Sequence, residues 1–184
     1  MKKLHLLLAF LMLHVAANAQ DYWQKVSTPS DKDLLTVSFG NSSTGYIGGT
    51  DSTLLKTTDG GKTWSTLPHT GMGYEHKYMS DIVDLKFVSA TIGYAVLSNR
   101  ARPDLIGQVY KTLDGGNSWI KVPEIWTSAY RVFCFDEDNG YLTGATPFAG
   151  PTLHKLDHGT WSTVHYLGAG TSYMLTAIDF LNIT

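Results

Sequence analysis

After residue 20 the apolar positions come in short runs that alternate with polar ones, and no long 3.6-residue apolar period occurs. LTVSF at 35–39, GYIGG at 45–49 and LLKTTDGGKTWSTL at 54–67 each carry β-branched or alternating apolar residues, and Gly, Asn, Asp or Ser separate them. That pattern predicts short strands joined by tight turns. It then begins again. The second unit reads IVDLKF (82–87), GYAV (93–96) and VYKTLDGGNSWIKV (109–122). The third reads YRVFCF (130–135), GYLTG (140–144) and LHKLDHGTWSTV (153–164), and LTAIDF (175–180) opens a fourth. Phe39, Phe87, Phe135 and Phe180 are spaced by 48, 48 and 45 residues, and Tyr46, Tyr94 and Tyr141 by 48 and 47. Four strands per unit of this length describe the blade of a β-propeller. A parallel β-helix needs a shorter period, and a sandwich does not repeat its turns.

The predicted architecture is therefore all-β: a propeller of four-stranded blades, three complete and a fourth begun, forming an open arc. The units run over about 35–67, 82–122 and 130–164, the fourth starting at 175. Strands are lettered a to d from the axis outward: a is the LTVSF type, b starts at Gly-Tyr, c is the VYKT type and d the tryptophan run. Tyr46, Tyr94 and Tyr141, in register with the strand-a phenylalanines, are expected between blades. Tyr22 to Val26 matches strand d with no a, b or c before it, and strand a of the fourth unit has nothing after it. Both ends predict a fragment of a larger propeller, and such an arc exposes blade faces that need a neighbour.

The c–d turns carry the most specific motif. Thr57-x-Asp59-x-Gly61-x-Thr63-Trp64 recurs as Thr112-x-Asp114-x-Gly116-x-Ser118-Trp119. An aspartate at the head of a tight turn can accept bonds from the backbone N–H groups just beyond it. Glycine takes positive φ there without steric cost, and the tryptophan covers the hairpin with an apolar face. A catalytic aspartate would need a second titratable group at fixed spacing, and neither copy has one. The structural reading is therefore preferred for Thr57, Asp59, Gly61, Trp64, Thr112, Asp114, Gly116 and Trp119. A third copy, with Asp157, Gly159 and Trp161, is one residue shorter between Asp and Trp and lacks the leading Ser or Thr.

This S/T-x-D-x-G-x-[ST]-W pattern resembles the Asp box, or bacterial neuraminidase repeat. With the opening Phe and the Gly-Tyr pair, residues 22–180 resemble the photosystem II assembly and stability factor family and its secreted relatives. The resemblance implies a seven-bladed propeller and a protein-binding or assembly role, and it does not imply a photosynthetic host. The family's photosystem members are similar in using a basic patch, whereas this chain has only Arg100, Arg102 and Arg131.

The remaining chemistry is sparse. Sialidases share the Asp box but use an arginine triad, a tyrosine and a glutamate, and Arg131-Val132-Phe133 is not their opening motif. Xyloglucan-type glycosidases need two separated carboxylates; Asp84 and Asp179, both in strand-a runs, are formal candidates that read more simply as polar ends of inner strands. His154 and His158 are four apart on a strand and turn, a spacing that aligns ligands on helices. His69 and His76 share a loop with no third ligand. No metal or cofactor is expected. Function is sought instead in the b–c and d–a loops, which vary on a rigid repeat. Tyr74, His76, Tyr78, Arg100, Arg102 and Trp126 form the candidate binding set, for a protein or a glycan.

Residues 1–19 have a basic start, an apolar run and Ala17-Asn18-Ala19, the form of a signal peptide cleaved before Gln20. The expected product is a periplasmic or extracellular bacterial protein without membrane insertion. Its removal takes two lysines and moves the formal charge from −2 to −4, which argues against nucleic-acid binding. Cys134 is the only cysteine, so no internal disulfide forms.

Overall fold

The computed structural model describes residues 24–72, 81–98, 107–123, 128–146 and 150–166. These contain twelve strands in three antiparallel four-stranded sheets, each in sequence order. Blade one comprises β1 (Leu34–Phe39), β2 (Gly45–Gly49), β3 (Leu54–Thr57) and β4 (Ser65–Thr66). Blade two comprises β5 (Asp81–Phe87), β6 (Gly93–Ser98), β7 (Gln108–Thr112) and β8 (Ile120–Lys121). Blade three comprises β9 (Ser128–Cys134), β10 (Gly140–Thr146), β11 (Gly150–Asp157) and β12 (Thr160–Tyr166). β1 and β2 pack on β5, and β9 packs on β5 and β6, so the blades stand side by side as an open propeller arc. The strand expected for a fourth blade lies outside the described residues, as do Tyr22 and Trp23. Residues 24–26 form no strand.

Each inner strand carries a β-bulge at the same place. Leu35, Val83 and Tyr130 are the extra residues opposite β2, β6 and β10. A bulge re-aims the residue that follows it, here Thr36, Asp84 and Arg131. Strand b explains the Gly-Tyr pair. A Cβ on Gly45 would lie 2.7 Å from the Phe39 ring, and one on Gly93 would lie 2.6 Å from the Phe87 ring. Glycine is needed because the inner-strand ring lies flat over this backbone.

The third unit corrects the predicted register. Phe39 pairs with Gly45 and Phe87 with Gly93, but Gly140 pairs with Cys134, not Phe135. A Cβ on Gly140 would meet the Cys134 sulfur at 2.9 Å. The lone cysteine therefore takes the phenylalanine's place, and Phe135 is 49% exposed. Burial pushes the Cys134 thiol up to about 12, which keeps it inert.

Two apolar clusters fill the interfaces. Tyr46, Leu54, Leu85, Phe87 and Trp119 lie in one between blades one and two. Tyr94, Val132, Cys134, Leu156 and Trp161 lie in the other between blades two and three. Tyr46 and Tyr94 are buried as expected, and Tyr141 only partly. The first two are each covered by the next blade; the chain beyond blade three lies outside the described residues.

Candidate functional site

The Asp boxes are closed hydrogen-bonded units. In the first, Thr57 Oγ1 accepts from Gly61 N at 2.9 Å and donates to Asp59 Oδ1 at 2.7 Å. Asp59 Oδ1 also accepts from Thr63 N at 2.9 Å, and Oδ2 from Thr63 Oγ1 at 2.6 Å. The second box repeats this with Thr112, Asp114, Gly116 and Ser118 at nearly the same lengths. Gly60, Gly61, Gly115 and Gly116 all take positive φ, from 70° to 89°. The tryptophan indoles return to the turn: Trp64 Nε1 donates to Gly61 O and Trp119 Nε1 to Gly116 O, both at 3.1 Å. The bonds from Thr63 and from Ser118 hold the Asp59 and Asp114 carboxyls well below the usual carboxylate range. A carboxylate so satisfied is a poor proton acceptor.

The third copy is built differently. His158 at φ 49° and Gly159 at 77° form the two-residue turn between Asp157 and Thr160, the geometry of a type I′ hairpin. Asp157 faces Lys155 Nζ at 3.1 Å and His158 Nδ1 at 3.0 Å. The expected box role of Asp157 is thus corrected: with one residue fewer, the carboxylate no longer caps a loop. Gly159 still serves the turn, and Trp161 is still buried.

A second clamp went unread in the sequence. Every c–d turn donates to the a–b turn of its own blade: Gly60 N to Ser43 O, Gly115 N to Thr91 O, Gly159 N to Asp138 O. Those a–b turns are closed in turn by Asn41, Ser89 and Asp136, whose side-chain oxygens accept from backbone N–H groups two and three residues on. Between blades, Tyr46 Oη donates to Ala90 O at 2.6 Å and Tyr94 Oη to Glu137 O at 3.2 Å. Lys56 and Lys111 lie over these two tyrosine rings, each 5.3 Å from the centroid. Burial raises both phenols, Tyr46 to about 12.

Two carboxylates of the inner strand β5 bridge blades: Asp81 Oδ1 accepts from Asp51 N of blade one at 3.3 Å, and Asp84 reaches both neighbours. Its Oδ2 accepts from Val132 N at 2.8 Å, and Oδ1 from Thr36 Oγ1 at 3.4 Å. Burial raises its pKa despite those bonds and the nearby Arg131. Asp179, its partner in the glycosidase reading, lies outside the described residues. His154 is buried and sits between Thr152 Oγ1 and Thr163 Oγ1, both at 3.2 Å. No group of three His, Cys, Asp or Glu among the described residues could hold a metal ion. The candidate binding set of Tyr74, His76, Tyr78, Arg100, Arg102 and Trp126 falls entirely outside the described residues.

The repeated four-stranded blades have counterparts among known proteins. The family model for the photosynthesis system II assembly factor YCF48 matches residues 15–77. The chain is a BNR-type β-propeller resembling that assembly factor. The photosystem II assembly protein Ycf48 of Synechococcus sp. (strain JA-3-3Ab) is 27% identical over 155 residues, 64% of this chain and 46% of the relative. The structure of YCF48 bound to D1 peptide superposes with a TM-score of 0.61 at 20% identity, over 83% of this chain and 48% of that one. YCF48 from Cyanidioschyzon merolae gives 0.60 at 18%, over 77% and 42%. The chain thus spans about half the length of the relatives it matches.

Proposed function

We propose that this chain is an exported, non-enzymatic propeller that binds a segment of another protein and serves as an assembly scaffold. The observation that carries the reading is where the carboxylates go. Asp59, Asp114 and Asp84 are all committed to hydrogen bonds that hold turns and blades, on a blade architecture like that of an assembly factor whose solved complex holds a D1 peptide. A scaffold needs rigid blades and variable loops, and the loops bearing Tyr74, His76, Tyr78, Arg100, Arg102 and Trp126 supply aromatic and cationic contacts of the kind that dominate protein interfaces. Export rests on the signal-like residues 1–19 and places the protein outside the cytoplasm.

The test immobilises the full-length product and exposes it to a panel of unstructured peptides from exported and membrane proteins, and in parallel to a glycan panel with a hydrolysis readout. Saturable binding to a subset of peptides, weakened at least tenfold by Arg100→Ala with Arg102→Ala, is expected. Glycan binding or sugar release without peptide binding overturns the reading.

A further inference from the structure

The two interblade seams repeat one arrangement. In the first, blade one reaches into the second Asp box. Tyr46 Oη donates to Ala90 O at 2.6 Å, and Lys56 Nζ to Gly115 O at 3.2 Å. A Cβ on Gly115 would meet Tyr46 Oη, Ala90 O and Lys56 Nζ at 2.9, 3.0 and 3.0 Å. Leu67 closes the outer side, 3.1 Å from a Cβ on Gly116. Gly115, Gly116 and Trp119 are buried in consequence. In the second seam Tyr94 Oη and Lys111 Nζ both reach Glu137 O, at 3.2 and 3.5 Å. Val122 there takes the place of Leu67, each donating its N–H to strand c.

Blade one carries the receiving half of this arrangement on its other side. Ser42 and Gly60 take the positions of Ala90 and Gly115, and Val37, Phe39 and Trp64 those of Leu85, Phe87 and Trp119. Among the described residues, a Cβ on Gly60 would meet only Ser42 O of its own blade within 4 Å. Gly60 is exposed, and Val37 and Phe39 are 59% and 45% exposed. At the same turn lies a groove of about 800 Å³, whose walls include Lys25, Val26, Gly60, Lys62 and Trp64. Blade three carries the donating half. Tyr141 pairs with Lys155 across β10 and β11, as Tyr46 does with Lys56 and Tyr94 with Lys111. Val164 follows Trp161 by three residues, as Leu67 follows Trp64, and is 51% exposed.

We propose that the open face of blade one is the docking site for blade three of a second copy of this chain. Blade two separates the two halves within one chain, so their direct union is between copies. The incoming Tyr141 ring lies on Phe39 as Tyr46 lies on Phe87, with its hydroxyl on Ser42 O, Lys155 on Gly60 O and Val164 over Gly61. Lys25 and Lys62 would repel a bare ammonium, but Lys155 arrives paired with Asp157 at 3.1 Å. Blades one and two have Thr58 and Leu113 at that position, so the ion pair belongs to the one blade that has to meet these lysines. The contact is heterologous, and two such contacts close a ring of two copies. Its six described blades fall within the usual range of closed propellers. The chain spans about half the length of the relatives it matches, so two copies supply the length of one. These faces are separate from the loops invoked above, so either reading can fail alone.

The experiment follows the mass of the full chain by analytical ultracentrifugation over a range of concentrations. A concentration-dependent dimer is expected. Val37→Asp puts a charge on the receiving face and Val164→Lys on the donating face; both side chains are more than half exposed in the single chain, so both variants should fold. Each alone should raise the dimer dissociation constant about tenfold or more. An equimolar mixture should recover a dimer held by one contact, because the intact donating face of the first variant fits the intact receiving face of the second. Only a head-to-tail contact recovers in this way. Phe39→Ser and Val164→Gln take their place if either variant does not fold. A monomeric native chain overturns the proposal and leaves the face to another part of the chain or to another protein. So does a dimer that survives either folded variant undiminished, or a pair of monomeric variants that stays monomeric on mixing.

Discussion

β1 and β5 carry the same pattern and meet opposite fates. Phe39 and Phe87 occupy equivalent positions, each flat over the glycine of its own strand b, yet Phe39 is 45% exposed and Phe87 only 2%. Val37 is 59% exposed and its counterpart Leu85 4%. Nothing within either blade accounts for this. The β5 side chains are covered because blade one leans on them: the Tyr46 ring stacks on Phe87 with centroids 3.5 Å apart and planes within 8°. On β1 no described residue plays that part. In a repeat architecture the core lies between units, so burial belongs to the seam and not to the sequence of the repeat.

The largest effect should therefore separate those two phenylalanines. Phe87→Ala removes a ring packed by Tyr46 and edge-on Trp119, and should cost about 3–5 kcal/mol. Phe39→Ala keeps only the loss of its edge contact with Trp64 at 6.2 Å and should cost on the order of 1 kcal/mol or less. Urea unfolding of both variants measures the difference. Equal losses would mean that the core is intrablade after all.

The next comparison sets intact boxes against the shortened one. Thr57 and Thr112 are buried, and each hydroxyl both accepts from a turn N–H and supports the aspartate. Thr57→Val and Thr112→Val strip that acceptor while keeping shape, and should cost about 1–3 kcal/mol each. Asp157→Asn touches an exposed carboxylate that caps no loop and should leave the melting temperature unmoved. A matching loss at Asp157 would show that the third turn is still a box.

How far the sequence revealed this can be judged at particular residues. The Gly-Tyr pairs, the box glycines and the strand periods were legible because each expresses a local rule: a ring over a glycine, a positive φ, an alternating face. The place of Cys134 was misread because Phe135 is the conspicuous residue, although its spacing of six from Tyr141, against seven for Phe39–Tyr46 and Phe87–Tyr94, carried the signal. The bulges at Leu35, Val83 and Tyr130 left no such trace, since a bulge is defined by the partner strand. Strand d was expected to run on from each tryptophan; in β4 and β8 only two residues pair, because the indole is turned back onto its own loop. The loop residues of the candidate binding set obey no periodic rule, and no geometry tests them.

A smaller effect tests the interblade latch. Tyr46→Phe and Tyr94→Phe keep the ring and remove the hydroxyl that donates to the neighbouring turn. The first leaves Ala90 O without its tyrosine donor and the second leaves Glu137 O with only the longer bond from Lys111; each should cost about 0.5–1.5 kcal/mol. Tyr141→Phe, on a partly exposed ring, should cost less than either. Hydrogen exchange at the a–b turns around Ala90 and Glu137 should rise in the first two variants and not in the third; unchanged exchange would remove the latch from the account.

The finest distinction is in how the two kinds of aspartate respond to acid, because their shifts have opposite signs. Asp59 and Asp114 have folded pKa values below the ordinary value, through the Thr63 and Ser118 bonds. Their stabilisation is complete above the unfolded value of about 3.9 and is lost as pH falls through the folded values. Asp136, depressed by the N–H groups of its own turn, acts in the same direction. Asp84 is raised by burial. Its contribution is greatest below about 3.9 and declines as pH climbs through its folded value, because the fold disfavours its charged form. Stability followed from neutral pH downward should thus first rise slightly as Asp84 takes up a proton, then fall below the ordinary carboxylate range as the box aspartates do. Asp84→Asn should remove the upper rise and leave the acid fall, since the amide oxygen can still accept from Val132 N. Asp59→Asn with Asp114→Asn should shrink the acid fall to the share left by Asp136 and Asp157, both also depressed, and leave the rise. If Asp84→Asn instead removed the acid fall, the inner-strand carboxylate would be held as an ion by the seam, and the boxes would be bystanders to the acid response.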